Sequence, residues 1–426
     1  MKKKYSVLLL IFILLLAGCF TISASGIKIP YLENYGANFR RNVKGITDRL
    51  GLNLPQPVND FLSKTPEPLS TEEKLAIIEK MESEQAEAYA TPTPDIPVKS
   101  EMPINATSRI IAQKDAYAAA YASYEGKLLC AIDTTLTCYS PDGGEAWEAD
   151  VQISNPILKT AGSYIMLAEK GSSKLYLFRG KKKLWEFSNE NPIISADVSE
   201  NGDVVITSDK AHSKGVVTVF NRKGETVFQW NSGKYEVLDA DISPASRHLA
   251  VSLLNTESGA DTKLSFFNMK ESESFNSAAI ADSIVFDVEF CGETLNAIAD
   301  NKIIGLDADG NVQWTKDFEN KTLHRYSVED SGYKVCVFDS NNVSEINVIS
   351  ARGGDKSSFE SQAFPDNICI SDGYLLYNND RTLIFSSLSG KNPKKYNCTR
   401  DIYKLFILDA NNLLVVYNSS LEFIHI

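Results

Sequence analysis

A short apolar run, a tight polar turn and a second run that ends in tryptophan recur along this chain. The segment IGLDADGNVQW ends at Trp314, and similar segments end at Trp147, Trp185 and Trp230. Successive tryptophans are 38, 45 and 84 residues apart, and the last interval is close to two periods of about 42. A period near 40 residues with four short strands per unit is the pattern of a β-propeller blade.

The unit from residue 193 to residue 232 shows the pattern most clearly, as IISADVSENG, DVVITSDK, GVVTVFNRKG and ETVFQWNS. Each segment is rich in β-branched and aromatic residues, and the glycines supply the positive φ that tight hairpins require. Looser copies begin near Tyr235, Ser283, Thr322 and Phe364, with Phe275, Phe359 and Tyr396 at the places where tryptophan is missing. The region therefore predicts an all-β fold.

The last unit, IYKLFILDANN, LLVVYNSS and LEFIHI, has only three strands. An open ring would expose an unpaired sheet edge. The run Ser108–Gln113, SRIIAQ, lies just before the first unit and is the natural fourth strand. We therefore predict a propeller of eight four-stranded blades closed by an N-terminal strand, or of seven if the weak unit near Tyr117 is not a blade.

The glycine-to-tryptophan turns, DGNVQW above all, resemble the repeat of quinoprotein-type (PQQ-like) propellers, which include a lipoprotein of bacterial outer-membrane assembly. The turn DISPASRHLAVS, Asp241–Ser252, resembles that of Tol-type and WD-repeat-like propellers. The resemblance covers residues 107–426 and implies the fold rather than an activity. Two features depart from it: Asp307 precedes Gly310 by three residues rather than four, and the adjacent cysteine pair of quinone-dependent dehydrogenases is missing.

The N-terminus, MKKKYSVLLLIFILLLAGCF, places three lysines before a continuous apolar run. Residues 1–24 therefore form a signal or membrane-anchor segment whose lysines stay in the cytoplasm. Leu16 to Cys19 resemble a bacterial lipobox, in which Cys19 carries the lipid. An uncleaved spanning helix is the alternative, and a cleaved secretory signal is a third. Either anchor places the rest of the chain on the extracytoplasmic side of the cell membrane.

Residues 25–106 read as a stalk. Phe39, Val43, Ile46 and Leu50 have helical spacing among basic residues, which suits a helix on anionic headgroups or one docked on its own protein. A second short helix follows, and Pro92, Pro94, Pro97 and Pro103 then favour extended polyproline II. The propeller domain is assigned to residues 107–426.

Charge and cysteine content restrict the chemistry. The net charge of −12 argues against a nucleic-acid surface, which needs clustered Lys and Arg. Six cysteines beyond Cys19 are scattered through apolar runs. Cys130 and Cys138 flank a predicted hairpin turn, and a disulfide between them requires an odd-numbered loop centred on Thr134.

The residues that stand out favour packing over catalysis. Trp147, Trp185, Trp230 and Trp314 are interpreted as packing residues between blades, because they hold one place in each unit. Aspartates recur at predicted turns, where their side chains are expected to cap the backbone. A ring of carboxylates that binds a cation is the alternative. These residues are Asp197, Asp241, Asp287, Asp330, Asp372 and Asp409. The four histidines lie in different units, and no catalytic, metal or cofactor site is predicted.

These observations predict a membrane-anchored extracytoplasmic propeller that acts as a non-catalytic protein-interaction scaffold, with its partner at one propeller face. Two alternatives stay open. One is a quinoprotein-like oxidoreductase or another enzyme with its site in the central channel, and the other is a surface glycan-binding module.

Overall fold

The computed structural model describes residues 102–103, 106–188, 190–256, 261–319, 321–340, 343–361, 363–391 and 393–426. They form an eight-bladed β-propeller whose blades are antiparallel sheets of four strands. Two strands precede the first complete blade, β1 (Met102–Pro103) and β2 (Thr107–Ala112). A 3₁₀ turn, Ala116–Ala118, follows β2.

Blades one to four follow one another along the chain. Blade one contains β3 (Ala120–Tyr124), β4 (Lys127–Ile132), β5 (Thr135–Tyr139) and β6 (Glu145–Asp150). Blade two contains β7 (Pro156–Ala161), β8 (Tyr164–Glu169), β9 (Lys174–Arg179) and β10 (Lys182–Ser188). Blade three contains β11 (Ile193–Val198), β12 (Val204–Ser208), β13 (Val216–Phe220) and β14 (Thr226–Asn231). Blade four contains β15 (Glu236–Ile242), β16 (Leu249–Asn255), β17 (Asp261–Phe267) and β18 (Asn276–Ile280).

Blades five to eight continue in the same order. Blade five contains β19 (Val285–Cys291), β20 (Thr294–Ala299), β21 (Lys302–Asp307) and β22 (Val312–Asp317). Blade six contains β23 (Leu323–Val328), β24 (Lys334–Ser340), β25 (Val343–Ile349) and β26 (Asp355–Ser361). Blade seven contains β27 (Asn367–Ser371), β28 (Tyr374–Asn379), β29 (Thr382–Ser387) and β30 (Lys394–Asn397). Blade eight contains β31 (Ile402–Asp409), β32 (Asn412–Tyr417) and β33 (Ser420–His425), with β2 as its fourth strand.

The ring closes as the sequence predicts, with eight blades. Strand β2 pairs antiparallel with β33, from Thr107 opposite His425 to Ala112 opposite Ser420. This pairing satisfies the backbone groups of an edge that would otherwise stay open. Met102 and Pro103, in the predicted stalk, also pair in parallel with Lys394 and Lys395 of blade seven.

Burial changes from the axis to the rim of each blade. The second and third strands are almost wholly buried, as in β8 and β13. The fourth strands alternate between exposed and half-buried residues, as in β6 and β22, because only one of their faces meets a neighbouring blade. The apolar core is therefore divided into clusters, and each lies between adjacent blades.

Candidate functional site

The four predicted packing tryptophans lie on fourth strands and contact the clusters between blades. Three occupy equivalent positions. Trp147, Trp185 and Trp314 are each the first paired residue after a register shift in their strand, opposite Cys138, Leu177 and Gly305. All three are half-buried.

Trp230 does not occupy the equivalent position in blade three. After the register shift it is Phe228, 6% exposed, that lies opposite Val219. Trp230 lies two residues further along the same face, opposite Val217. Phe228 therefore takes the position that Trp147, Trp185 and Trp314 hold in their own blades. The interpretation of four equivalent tryptophans needs this correction, because Phe228 lies four residues after the turn glycine of its hairpin, as Trp147 and Trp314 do, whereas Trp230 lies six residues after it.

Aromatic side chains dock onto glycines in the next blade. A Cβ added at Gly224 would lie 3.1 Å from Trp185 Cγ, and one at Gly390 would lie 2.7 Å from Phe359 Cδ1. A Cβ at Gly353 would overlap the ring of Trp314. These glycines have positive φ, so each provides both the turn and the space for the ring.

Blade four breaks this pattern. Its turn between the third and fourth strands, residues 268–275, contains no glycine and is longer than the turns at 221–225 and 308–311. Phe275, expected to fill the missing tryptophan position, is 43% exposed. Phe266 packs instead against Gly310 of blade five, where an added Cβ would lie 2.5 Å from Phe266 Cδ2.

A cavity of about 410 Å³ lies where blade four departs from the pattern, between blades three and four. We call it the blade 3/4 groove, and its main lining residues are Trp230, Lys234, Tyr235, Lys263, Ser265 and Phe267. The rings of Trp230 and Phe267 are 5.2 Å apart. The side chains of Ser272, Glu273 and Ser274 complete the rim.

One end of the groove is positively charged. Lys234 Nζ lies 5.2 Å from the ring centroid of Tyr235, and Lys263 Nζ lies 5.8 Å from the same centroid. Both are cation–π distances. Both ammonium groups therefore lie within 6 Å of one aromatic ring, beside an apolar floor.

The cysteine pair does not form a disulfide. A two-residue turn at Asp133 and Thr134 sets Cys130 opposite Thr137 and Cys138 opposite Leu129. The two side chains therefore lie on opposite faces of the sheet, and both thiols are buried and free. Burial raises the pKa of Cys130 to about 12 and that of Cys138 to about 11. This corrects the possible disulfide, which required an odd-numbered loop.

Several of the aspartates expected at turns lie on the innermost strands instead. Asp197, Asp241 and Asp287 belong to β11, β15 and β19. Asp241 Oδ2 accepts a hydrogen bond from the backbone N–H of Phe290 in the next blade at 2.6 Å, and Asp239 Oδ2 accepts one from Val288 at 3.1 Å. These carboxylates thus join neighbouring blades at the axis, where the inner sheet edges have no further strand to pair with.

The carboxylates lie close enough to perturb one another. Burial, followed by the charge of Asp287, raises the pKa of Asp239 to about 8. Burial raises the pKa of Glu289 to about 7, with Lys159 acting in the opposite direction. Lys159 Nζ lies 3.4 Å from Asp197 Oδ2, and its side chain keeps 48% exposure to solvent. The charge of Asp197 raises the pKa of Lys159 despite partial desolvation.

The hydroxyl of Tyr326 donates a hydrogen bond to Asp287 Oδ2 at 2.9 Å. Burial raises the pKa of Tyr326, so the phenol keeps its proton. In the part of the chain that the structure describes, no group of three or more His, Cys, Asp or Glu side chains is arranged to hold a metal ion. At the channel wall, blades four, five and six are thus joined by hydrogen bonds from backbone N–H groups and a phenol to carboxyl groups.

Sequence reasoning missed the blade 3/4 groove. Its only sequence signal is the glycine-free, lengthened turn at residues 268–275. The predicted anchor, including Cys19, lies outside the described residues. Among those that are described, no helix combines the length and apolar character needed to cross a membrane.

Solved structures with low sequence identity share the propeller fold. The computationally designed Ika8 protein aligns at a TM-score of 0.57 and 13% identity, covering 74% of this chain and 98% of that chain. The WD40 domain of SCAP from fission yeast aligns at 0.51 and 10%, covering 75% and 98%. BamB from Moraxella catarrhalis aligns at 0.47 and 12%, covering 75% and 98%.

No curated protein matches the sequence. The model of the family of unknown function DUF5711 matches residues 102–426, which includes all eight blades. The chain therefore belongs to the DUF5711 family.

Proposed function

We propose that this protein is a membrane-tethered, extracytoplasmic propeller that binds another protein and catalyses no reaction itself. The observation that carries the proposal is the blade 3/4 groove. It is a cleft of about 410 Å³ in which aromatic and lysine side chains meet, at a junction where the turn between the third and fourth strands of blade four contains no glycine. Binding residues commonly gather where a rigid scaffold holds loops around a cleft.

The tether belongs to the same proposal and rests on the sequence of residues 1–24. Mass spectrometry of the mature N-terminus in a membrane fraction tests it directly. A lipid-modified Cys19 or an intact Met1 supports the tether, because each leaves the chain attached. A mature chain that begins beyond residue 24 and is found in the soluble fraction overturns it.

Binding can be tested in living cells with a photo-crosslinking amino acid at Ser272, which is exposed on the groove rim. The matched control is Val312, 50% exposed on the outer strand of blade five. We expect a discrete protein adduct from the Ser272 position that the Val312 position does not give. Identical labelling from both positions contradicts a specific partner at the groove.

The enzyme alternative predicts a different outcome. Pyrroloquinoline quinone and calcium added to the purified protein would give a visible absorbance band together with thermal stabilisation. Such a response, without a crosslinked partner, would replace the scaffold proposal by an oxidoreductase.

A further inference from the structure

We infer that the blade 3/4 groove binds an acidic segment of a partner protein in extended conformation. One carboxylate lies between Lys234 and Lys263, and a neighbouring apolar side chain covers Trp230 and Phe267. This inference rests on the proposed protein-binding function and adds the chemistry of the partner.

The positive end of the groove supplies the charge complementarity. Lys234 and Lys263 both approach the ring of Tyr235, at 5.2 and 5.8 Å from its centroid. Among the carboxylates that the structure describes, none forms an ion pair with either lysine. A carboxylate placed between two like charges reduces their repulsion and gains attraction from both. An anionic group is therefore the occupant that this end favours.

The middle of the groove is apolar. The rings of Trp230 and Phe267 form its floor at 5.2 Å from each other, with Leu253, 1% exposed, beside them. Trp230 is available here because Phe228 fills the packing position of blade three. An aromatic or aliphatic side chain of the partner would bury apolar area against these rings.

The length of the groove fits a short extended segment. Lys263 and Phe267 lie four residues apart on β17, which corresponds to about 13 Å along a strand. About four residues of an extended peptide cover this distance. The volume of about 410 Å³ also falls in the usual range of ligand clefts, roughly 300 to 1,000 Å³.

The far rim gives the groove a direction. Ser272, Glu273 and Ser274 lie in the turn that follows Phe267, away from Lys263. The carboxylate of Glu273 disfavours a second acid at this end, since like charges repel. The bound segment should therefore carry its acidic residue at the Tyr235 end and a neutral or polar residue at the Glu273 end.

A protein segment fits this charge pattern better than a neutral glycan does. Sugars stack on free aromatic faces, whereas two lysine ammonium groups already lie over Tyr235. Charge-assisted hydrogen bonds from the lysine ammonium groups instead favour a carboxylate.

The test is selection from a display library of random seven-residue peptides on the purified full-length protein. We expect enriched peptides to place Asp or Glu next to Phe, Trp or Leu. Their affinity should fall at least tenfold for K234E/K263E. The matched control K181E/K182E makes the same charge change on exposed lysines of blade two and should keep the wild-type affinity. Thermal unfolding of both variants shows that the fold is retained.

Three outcomes overturn the inference: no enriched peptide, enrichment of basic or uncharged peptides, or equal binding to K234E/K263E. Saturable binding of a neutral oligosaccharide, with Trp fluorescence as the readout, would also overturn it in favour of a glycan site. If the Ser272 crosslink persists while selection fails, only the acidic partner is excluded. If the Ser272 crosslink is absent and the peptide selection also fails, the proposed protein-binding function is excluded as well.

Discussion

The junction between blades five and six and the junction between blades three and four are built from the same parts but differ in packing. At the first, Trp314 lies against Gly305 of its own blade and Gly353 of the next, with Lys334 Nζ 4.8 Å from the centre of its ring. At the second, none of the turn glycines in the described part of the chain lies against Trp230, and a cavity remains beside it. The turn of the following blade thus supplies a glycine against the ring at the first junction and contains no glycine at the second.

This difference suggests how a propeller gains a binding site without losing its ring. Phe228 keeps the blade three packing position filled and buried. The longer turn at residues 268–275 borders the open space beside Trp230, and the packing of the two blades does not depend on filling that space. The apolar cluster between blades three and four still joins the two sheets.

The largest expected effect is truncation of the two tryptophans. Trp314→Ala should lower the free energy of unfolding by about 3–5 kcal/mol, because it removes the ring that fills the space between Gly305 and Gly353. Trp230→Ala should cost about 1–2 kcal/mol, because its ring already borders an open groove and less area is lost. Guanidinium unfolding measures both. Equal losses would show that Trp230 packs as tightly as Trp314.

The second expected effect isolates the docking glycine. Gly353 and Gly373 have nearly the same backbone angle, with φ of 78° and 77°, but an added Cβ meets the Trp314 ring only at Gly353. Gly353→Ala should therefore destabilise the protein by about 1–3 kcal/mol more than Gly373→Ala does. The strain of a positive φ is common to both variants. Equal unfolding midpoints for the two variants would show that contact with the Trp314 ring does not destabilise a side chain at residue 353.

A third effect concerns Lys334, which is fully buried and donates to the carbonyl of Gly332 at 2.6 Å. Burial lowers its pKa from 10.5 to about 8. Above pH 8 the folded state releases a proton that the unfolded state keeps until about pH 10.5, so the free energy of unfolding should rise with pH across this window.

Lys334→Met should remove that rise and stabilise the protein by about 1–2 kcal/mol at pH 7. Lys316→Met, at a partly exposed lysine paired with Asp355, is the control and should keep the rise. Urea unfolding between pH 7 and pH 10 measures the difference. A variant that keeps the wild-type slope would show that Lys334 is not the group responsible.

The smallest effect concerns the junction of blades four and five, where the contact at the axis is polar. The pKa values of Asp239 and Glu289 are raised to about 8 and about 7, so the folded state holds protons that the unfolded chain has released. Stability should therefore fall as pH rises from about 4 to 8.

Asp239→Asn removes one of these titrating groups and should therefore flatten the fall by about 1 kcal/mol between pH 5 and pH 8. The amide oxygen of the asparagine can still accept the hydrogen bond from the Val288 N–H. Asp355→Asn, at an exposed carboxylate of the outer strand, should leave the slope unchanged. Thermal unfolding in matched buffers tests both variants. A steeper slope for Asp239→Asn would contradict raised carboxylate pKa values in the channel.

Much of the architecture could be predicted from the sequence. The period near 40 residues, the three-strand final unit and the run at Ser108–Gln113 led to eight blades and to the closing strand. The candidate site could not be predicted in the same way. Trp230 looked equivalent to the other tryptophans, and three of the aspartates looked like turn residues until register and sheet position were known.

The physical reason is the range of the interactions involved. Strand patterning, turn glycines and the repeat length are local, so the sequence by itself determined the blades, their order and their closure. Contacts between blades join residues about 40 positions apart, and one bulge or one added turn residue moves a side chain to a new neighbour. Only the tertiary structure therefore decided that Asp239 and Asp241 join blades at the axis and that a groove opens beside Trp230.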